Sequence, residues 1–143
     1  MNSQLDTALC EKYPKIFVNR HGNVETTAMC WGFECGDGWY DLIDTLCGEI
    51  QHHLDRNASK DTKQFVAVQI KEKFGTLRFY GDGGDDRIRS FIWFAESFSG
   101  KICEQCGSPG KIRRGGYIHT ACDAHARPAE SYSDEDEDIE STD

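Results

Sequence analysis

Long apolar runs are missing from this chain. No stretch approaches the roughly 18 hydrophobic residues that a membrane-spanning helix needs. The opening MNSQLDTALCEKYPK lacks a basic start followed by an apolar segment, so no secretory signal is expected. Internal repeats are absent. So is the Lys-Ser/Thr that completes a phosphate-binding loop, and no familiar nucleophile pattern surrounds any cysteine. Without an export signal the expected compartment is the cytosol, where thiols stay reduced. Seven cysteines, an odd number, fit a full disulfide framework poorly. Cysteines that cluster in such a chain point first to a metal.

What is present is enough for one compact domain with a small appendage. The chain has 143 residues, of which 38% are hydrophobic and 11% aromatic. A chain of this length buries about two thirds of its unfolded surface. The net charge of −9 is unevenly spread. Residues 128–143 hold Glu130, Asp134, Glu135, Asp136, Glu137, Asp138, Glu140 and Asp143, with no Lys or Arg. Taking those eight from the 25 acids leaves 17 against 16 basic residues, a nearly neutral body. Within 101–127 the balance turns positive through Lys101, Lys111, Arg113, Arg114 and Arg127. A basic module therefore precedes an acidic tail.

Periodicity places the elements. Leu5, Ala8 and Leu9 share one face of a short helix over 3–13, stopped by Pro14. Ile16, Phe17 and Val18 read as a short strand, and 20–28 as a polar loop. Trp39, Leu42, Ile43, Leu46, Ile50 and Leu54 form one stripe of an amphipathic helix, with Asp37 as its expected N-cap. Residues 64–80 predict a β-hairpin turning at Gly75, with Val66, Val68 and Ile70 alternating along the first strand. Leu77 and Phe79 point inward on the second, Arg78 and Tyr80 outward. A second helix follows over 87–99, with Ile88, Phe91, Ile92, Ala95 and Phe98 on its apolar face and Gly100 as the stop. The fold class is α+β: two main helices on an antiparallel hairpin (1–100), a zinc ribbon-like module (101–127) and an acidic tail (128–143). The tail has too little apolar content to order itself.

The chemistry concentrates in the module. Cys103-x2-Cys106 and Cys122-x2-His125 each present two ligands from one tight turn, and two such turns complete a tetrahedron. Thiolates and a neutral imidazole suit zinc, and four protein ligands leave no open position. The expected cofactor is therefore one structural Zn2+. His119 competes with His125, but the matched spacing favours His125. A second site built on Cys30, Cys35 and Cys47 would need Cys10, His52 or His53. Cys47, beside the helix stripe, is more simply a small packed residue. A catalytic Cys35 would require a base such as His21, His52 or His53. The GDGGDD segment at 81–86 is a turn and helix cap, without calcium-loop spacing. Two basic surfaces are candidates for nucleic acid or a partner. One is the outward strand face with Gln69, Lys71, Lys73, Arg78 and Tyr80. The other is the 111–117 hairpin with Lys111, Arg113 and Arg114.

The strings WGFECGDGWYDLIDTLC, KEKFGTLRFYGDGGDD and AESFSGKICEQCGSPGKIRRGGYIHTACDAHA, in that order, resemble a group of uncharacterised small zinc-binding proteins of bacteriophages and prophages. The resemblance spans roughly residues 10–126 and leaves the tail outside. It implies a phage-encoded protein acting in the cytoplasm of a bacterial host. The expectation is an accessory protein without enzymatic activity that binds a host or phage protein, countering a defence or redirecting a host factor. A nucleic-acid-binding zinc module is the alternative. An enzyme of unknown reaction is the second alternative, using Glu34, Cys35, Asp37 and Trp39 opposite Lys71 or Lys73.

The tail's charge pattern makes a test. If residues 130–143 mask Lys111, Arg113 and Arg114, deleting them should raise affinity for DNA or RNA at low salt, an effect screened within about 10 Å at 0.1 M. If they imitate a phosphate backbone, deletion should weaken binding to a protein partner and add nothing for nucleic acid. Binding curves that superimpose with and without the tail would dismiss both roles.

Overall fold

The structure, a computed structural model, describes residues 1–128. The acidic segment read as unfolded lies outside the described residues apart from its first position. The architecture is α+β, with three helices, a small three-stranded sheet and a Cys/His module at the C-terminal end.

Helix α1 (Ser3–Lys12) starts where the Asn2 side chain accepts from the Leu5 N–H, and it ends at Tyr13, just before Pro14. The segment 14–31 is a series of turns. Ile16–Val18 is therefore not a strand: Phe17 N–H donates to Tyr13 and Arg20 N–H to Phe17, so the chain coils back on itself. Ile16 and Phe17 are buried all the same, whereas Val18 is exposed. Arg20 secures the loop by a forked pairing with Asp6, at 3.0 and 2.9 Å, and a bond to the Cys30 carbonyl. Such two-pronged charged contacts fix orientation as well as position.

The sheet has one strand more than the expected hairpin. β1 (Phe33–Glu34) runs parallel to β2 (Val66–Lys73), and β2 pairs antiparallel with β3 (Thr76–Asp82). The β2–β3 turn has Phe74 at φ +52° and Gly75 at φ +85°, the two positive values that a two-residue I′ turn demands. The alternation expected for β2 breaks at a bulge between Ala67 and Gln69. The extra residue resets the pleat, so Ala67 and Ile70 are buried while Val66 and Val68 are only half covered. On β3 the expected faces hold: Leu77 and Phe79 lie inside. Two N–H groups on the outer edge of β3 are taken up within the chain. Leu77 N–H donates to Ser99 Oγ and Phe79 N–H to Glu96 Oε2, both from the helix packed beside it.

Helix α2 (Tyr40–Arg56) carries the expected stripe: Ile43, Leu46 and Ile50 are buried against the sheet and α3. Asp37 does not cap it. The chain enters through a short 3-10 turn over Asp37–Trp39, and the Asp37 carboxylate instead accepts from the Asn2 backbone and side chain. Helix α3 (Asp86–Ser99) is capped by Asp85, which accepts from Ile88 N–H and, through its other oxygen, meets His53 Nε2 at 2.8 Å. That hydrogen bond holds the Asp85 carboxyl below its usual range and ties the end of α2 to the start of α3. Gly100 ends the helix with φ −68°, so left-handed freedom is not its role. A Cβ there would press on Ile112 of the module at 3.1 Å. Phe98, expected in the core, is 44% exposed.

Among the described residues no helix is long and apolar enough to cross a membrane. Ile50 is fully buried, so Ile50→Ala should cost about 2–5 kcal/mol through the cavity it leaves. Exposed Thr45→Ala on the same helix should cost less than about 0.5 kcal/mol. Urea unfolding of both variants checks this; an Ile50→Ala loss below about 1 kcal/mol would remove α2's stripe from the core.

Candidate metal centre and the adjoining cleft

The module begins with a turn in which Gly107 N–H donates to the Cys103 carbonyl and Cys103 N–H to the Ser108 carbonyl. Gly107 sits at φ +81°, and this left-handed residue closes the turn so that Cys103 and Cys106 point the same way. A hairpin of β4 (Lys111–Arg113) and β5 (His119–Ala121) then carries the chain back to Cys122. The 3-10 turn over Asp123–His125 swings His125 toward the cysteines.

The ligand atoms of Cys103, Cys106, Cys122 and His125 all lie within 4.8 Å of one another. Cys106 Sγ is 3.7 Å from Cys122 Sγ. His125 Nδ1 is 3.6 Å from Cys103 Sγ and 3.3 Å from Cys122 Sγ. A tetrahedral ion with metal–sulfur bonds of about 2.3 Å spaces its sulfurs about 3.8 Å apart, so the residues fit such an ion. A disulfide would need about 2.05 Å. The surroundings favour the thiolate at two of the three cysteines, while burial pushes Cys122 up: hydrogen bonds from the Ser108 hydroxyl and backbone N–H bring Cys106 down to about 7. At Cys103, burial opposes ionisation, but the backbone N–H groups of Cys122, Cys106 and Gln105 outweigh it. Arg113 clamps the second turn by donating to the Ala121 carbonyl and pairing with Asp123 at 2.8 Å.

His119, the competing ligand, is committed elsewhere. It is buried, with Nδ1 at 2.8 Å from the Tyr117 carbonyl and Nε2 accepting from Arg127 N–H. A neutral ring protonated on Nδ1 satisfies both. No second cluster forms among the described residues. Cys47 is fully buried on α2, and its thiol is pushed well up by that burial. Cys35 is buried too, which raises its thiol to about 12, so it stays protonated and unreactive at neutral pH.

Of that suggested constellation, Trp39 helps to build the socket for the module, with the glycines beside it. Trp39 is buried and its Nε1–H donates to the Ile102 carbonyl at 2.9 Å. Gly38 N–H donates to the Glu104 carbonyl at 2.7 Å, and Gly36 N–H to Glu104 Oε2 at 2.8 Å. A Cβ on Gly38 would overlap the Cys103 carbonyl. Thr120 adds a hydroxyl bond to the Gly75 carbonyl, at the hairpin turn. Glu34 lies in register with Lys71.

The two basic surfaces differ. Lys71 faces Arg78 across β2 and β3, and Tyr80 faces Gln69, with Lys73 exposed near the turn. In the module, Asp123 pairs with Arg113 and its carboxyl is held down by both Arg113 and Lys111. Arg114 is exposed. Where the module meets the core, a cleft of about 440 Å³ opens, walled by Asp37, Glu104, Tyr117, His119, His125 and Arg127. Tyr117 is 53% exposed, and the Arg127 guanidinium lies over its ring at 4.3 Å. Burial raises the Glu104 carboxyl. Sequence reasoning did not single out this stacked pair; two residues ten positions apart carry no local signal.

Comparison with family models, curated proteins and solved structures returns no match, so the function is read from the site itself.

Protein prepared without tag or added metal should hold about one equivalent of divalent metal per chain by elemental analysis. Cys106→Ser should lose most of it and increase amide exchange over 101–127. Because the ligands bind deprotonated, acidification should release the ion. Full metal content in Cys106→Ser would break the four-ligand assignment.

Proposed function

We propose that this protein is a non-enzymatic, phage-encoded accessory protein. It binds a host or phage protein in the bacterial cytoplasm, with a single structural zinc setting its binding surface. Zinc is the ion of choice because three thiolates and an imidazole at tetrahedral spacing match its preferred donors, and four protein ligands leave no place for substrate. The observation that carries the binding role is the Tyr117–Arg127 stack at the mouth of the cleft. Tyr and Arg, with Trp, are the side chains enriched among the energetic anchors of protein interfaces. The resemblance to phage and prophage proteins supplies the setting.

A nucleic-acid reading has one observation in its favour, the Lys71–Arg78 pairing on the strand face beside Tyr80. Asp123, which occupies Arg113 and lowers the positive field around Lys111, works against it in the module.

Affinity purification from bacterial cells, read by mass spectrometry, should recover one dominant protein with the wild type. Tyr117→Ala and Arg127→Glu should each reduce that recovery at least tenfold, with metal content and melting temperature unchanged. Recovery that survives both substitutions would end this assignment of the surface. Binding to DNA or RNA with a steep salt dependence, lost in Lys71→Glu/Arg78→Glu, would replace it with the second reading.

A further inference from the structure

The β2–β3 turn carries a side chain that its backbone does not favour. Among the described residues, Phe74 at φ +52° is the only one other than glycine in the left-handed region. A two-residue turn of this kind is best served by Asn, Asp or Gly at that position, and a bulky side chain there stores strain. The core gives nothing in return, because Phe74 is 66% exposed. The turn is held all the same. Gly75 N–H donates to Glu72 Oε1 at 2.7 Å, the Thr76 hydroxyl donates to the Lys73 carbonyl, and the Thr120 hydroxyl of β5 donates to the Gly75 carbonyl. An exposed ring kept in a strained but firmly braced turn points to a function outside the fold.

The turn is continuous with the Tyr117–Arg127 surface. A Cβ on Gly75 would touch Thr120, His119 and Ile118 at 3.4–3.5 Å, so the turn lies on the segment that follows Tyr117. The Tyr117 hydroxyl is held above its usual range first by the charge of Glu72, the same residue that braces Gly75. Glu72 therefore adjoins two cation–aromatic pairs. Lys73 Nζ lies 5.7 Å from the centre of the Phe74 ring, and the Arg127 guanidinium lies 4.3 Å from that of Tyr117. Both cations are exposed, and among the described residues neither is in an ion pair. Glu72 alternates with Lys73 along β2, so it faces the other side of the strand. A ring with a free cation lying on it is complementary to an apolar pocket that has a carboxylate on its rim.

We propose that Phe74 is the second anchor of the partner-binding surface, seated in an apolar pocket of the partner protein whose rim supplies a carboxylate to Lys73. This rests on the reading of Tyr117 and Arg127 as the first anchor. The strain at Phe74 is then the cost of holding the ring ready for its pocket.

The test uses the metal-loaded full chain. The dominant protein it recovers from bacterial lysate is purified and serves as the probe. Phe74→Asn should weaken binding of that probe at least about tenfold. The same substitution should raise the melting temperature by roughly 2–4 °C, because Asn accepts the left-handed backbone. Lys73→Glu should weaken binding about tenfold, and by less at high salt. Benzoylphenylalanine placed at position 74 should cross-link on illumination to a segment of the probe that contains Asp or Glu. If Tyr117→Ala loses the probe while Phe74→Asn keeps it, the second anchor is wrong and the first stands. If neither loses it, or the wild type recovers nothing, the first reading fails and this one with it. A lower melting temperature in Phe74→Asn makes the ring part of the fold and overturns the proposal. So does a cross-link to nucleic acid or to another copy of this chain.

Discussion

The close approach of two backbones, Gly36–Trp39 before α2 and Cys103–Glu104 in the first metal turn, holds the two parts of this fold together. Gly38 has no room for a side chain because the Cys103 carbonyl occupies that space. The result is a main-chain bond from Gly38 N–H to the Glu104 carbonyl and a second from Gly36 N–H to the Glu104 carboxylate, which neither segment makes alone. The module is too small to bury much core of its own, and an ion held by the four donors would supply much of its folding free energy. The socket's rigidity comes from Trp39, anchored by packing and by its bond to Ile102. Each stabilises the other: a fixed knuckle gives Gly36 and Gly38 their acceptors, and a fixed α2 start gives the knuckle its seat.

Much of this was legible in the residues, and the reasons are local. The Cys/His group that could hold a metal was legible from spacing, because two short Cys/His pairs can face each other only if the chain between them turns back. The main helices and the hairpin were found by period, because Ile43, Leu46 and Ile50, and then Leu77 and Phe79, must leave water together. The failures share a different cause. Ile16–Val18 is apolar but coils: Phe17 N–H bonds back to Tyr13, and the segment reaches the sheet through the Ala67 N–H bond to the Ile16 carbonyl, a contact its own pattern does not announce. The bulge after Ala67 shifts the pleat by a residue that no alternation announces. Asp37 looks like a helix cap, yet Asn2, distant in sequence, takes its carboxylate.

The motif GDGW shows how one string supports opposite readings. Carboxylate, glycine and aromatic beside a cysteine suggest a reacting centre. In the fold the glycines give passage to another backbone, the tryptophan is a buried strut, and the cysteine is a packed thiol. The β2–β3 turn held a legible clue that went unread. KFGT places an aromatic where such a turn is best served by Asn, Asp or Gly.

The polar bonds from Glu96 and Ser99 to the rim of β3 reach further than local satisfaction of N–H groups. A free sheet margin is a template on which other chains stack, the first step toward fibrous deposits. Here the helix occupies that template with its own side chains, and the opposite margin is a strand of only two residues. The margin of β3 is thus closed at Leu77 and Phe79 from within the chain, and those two N–H groups are not offered to the strand of another copy.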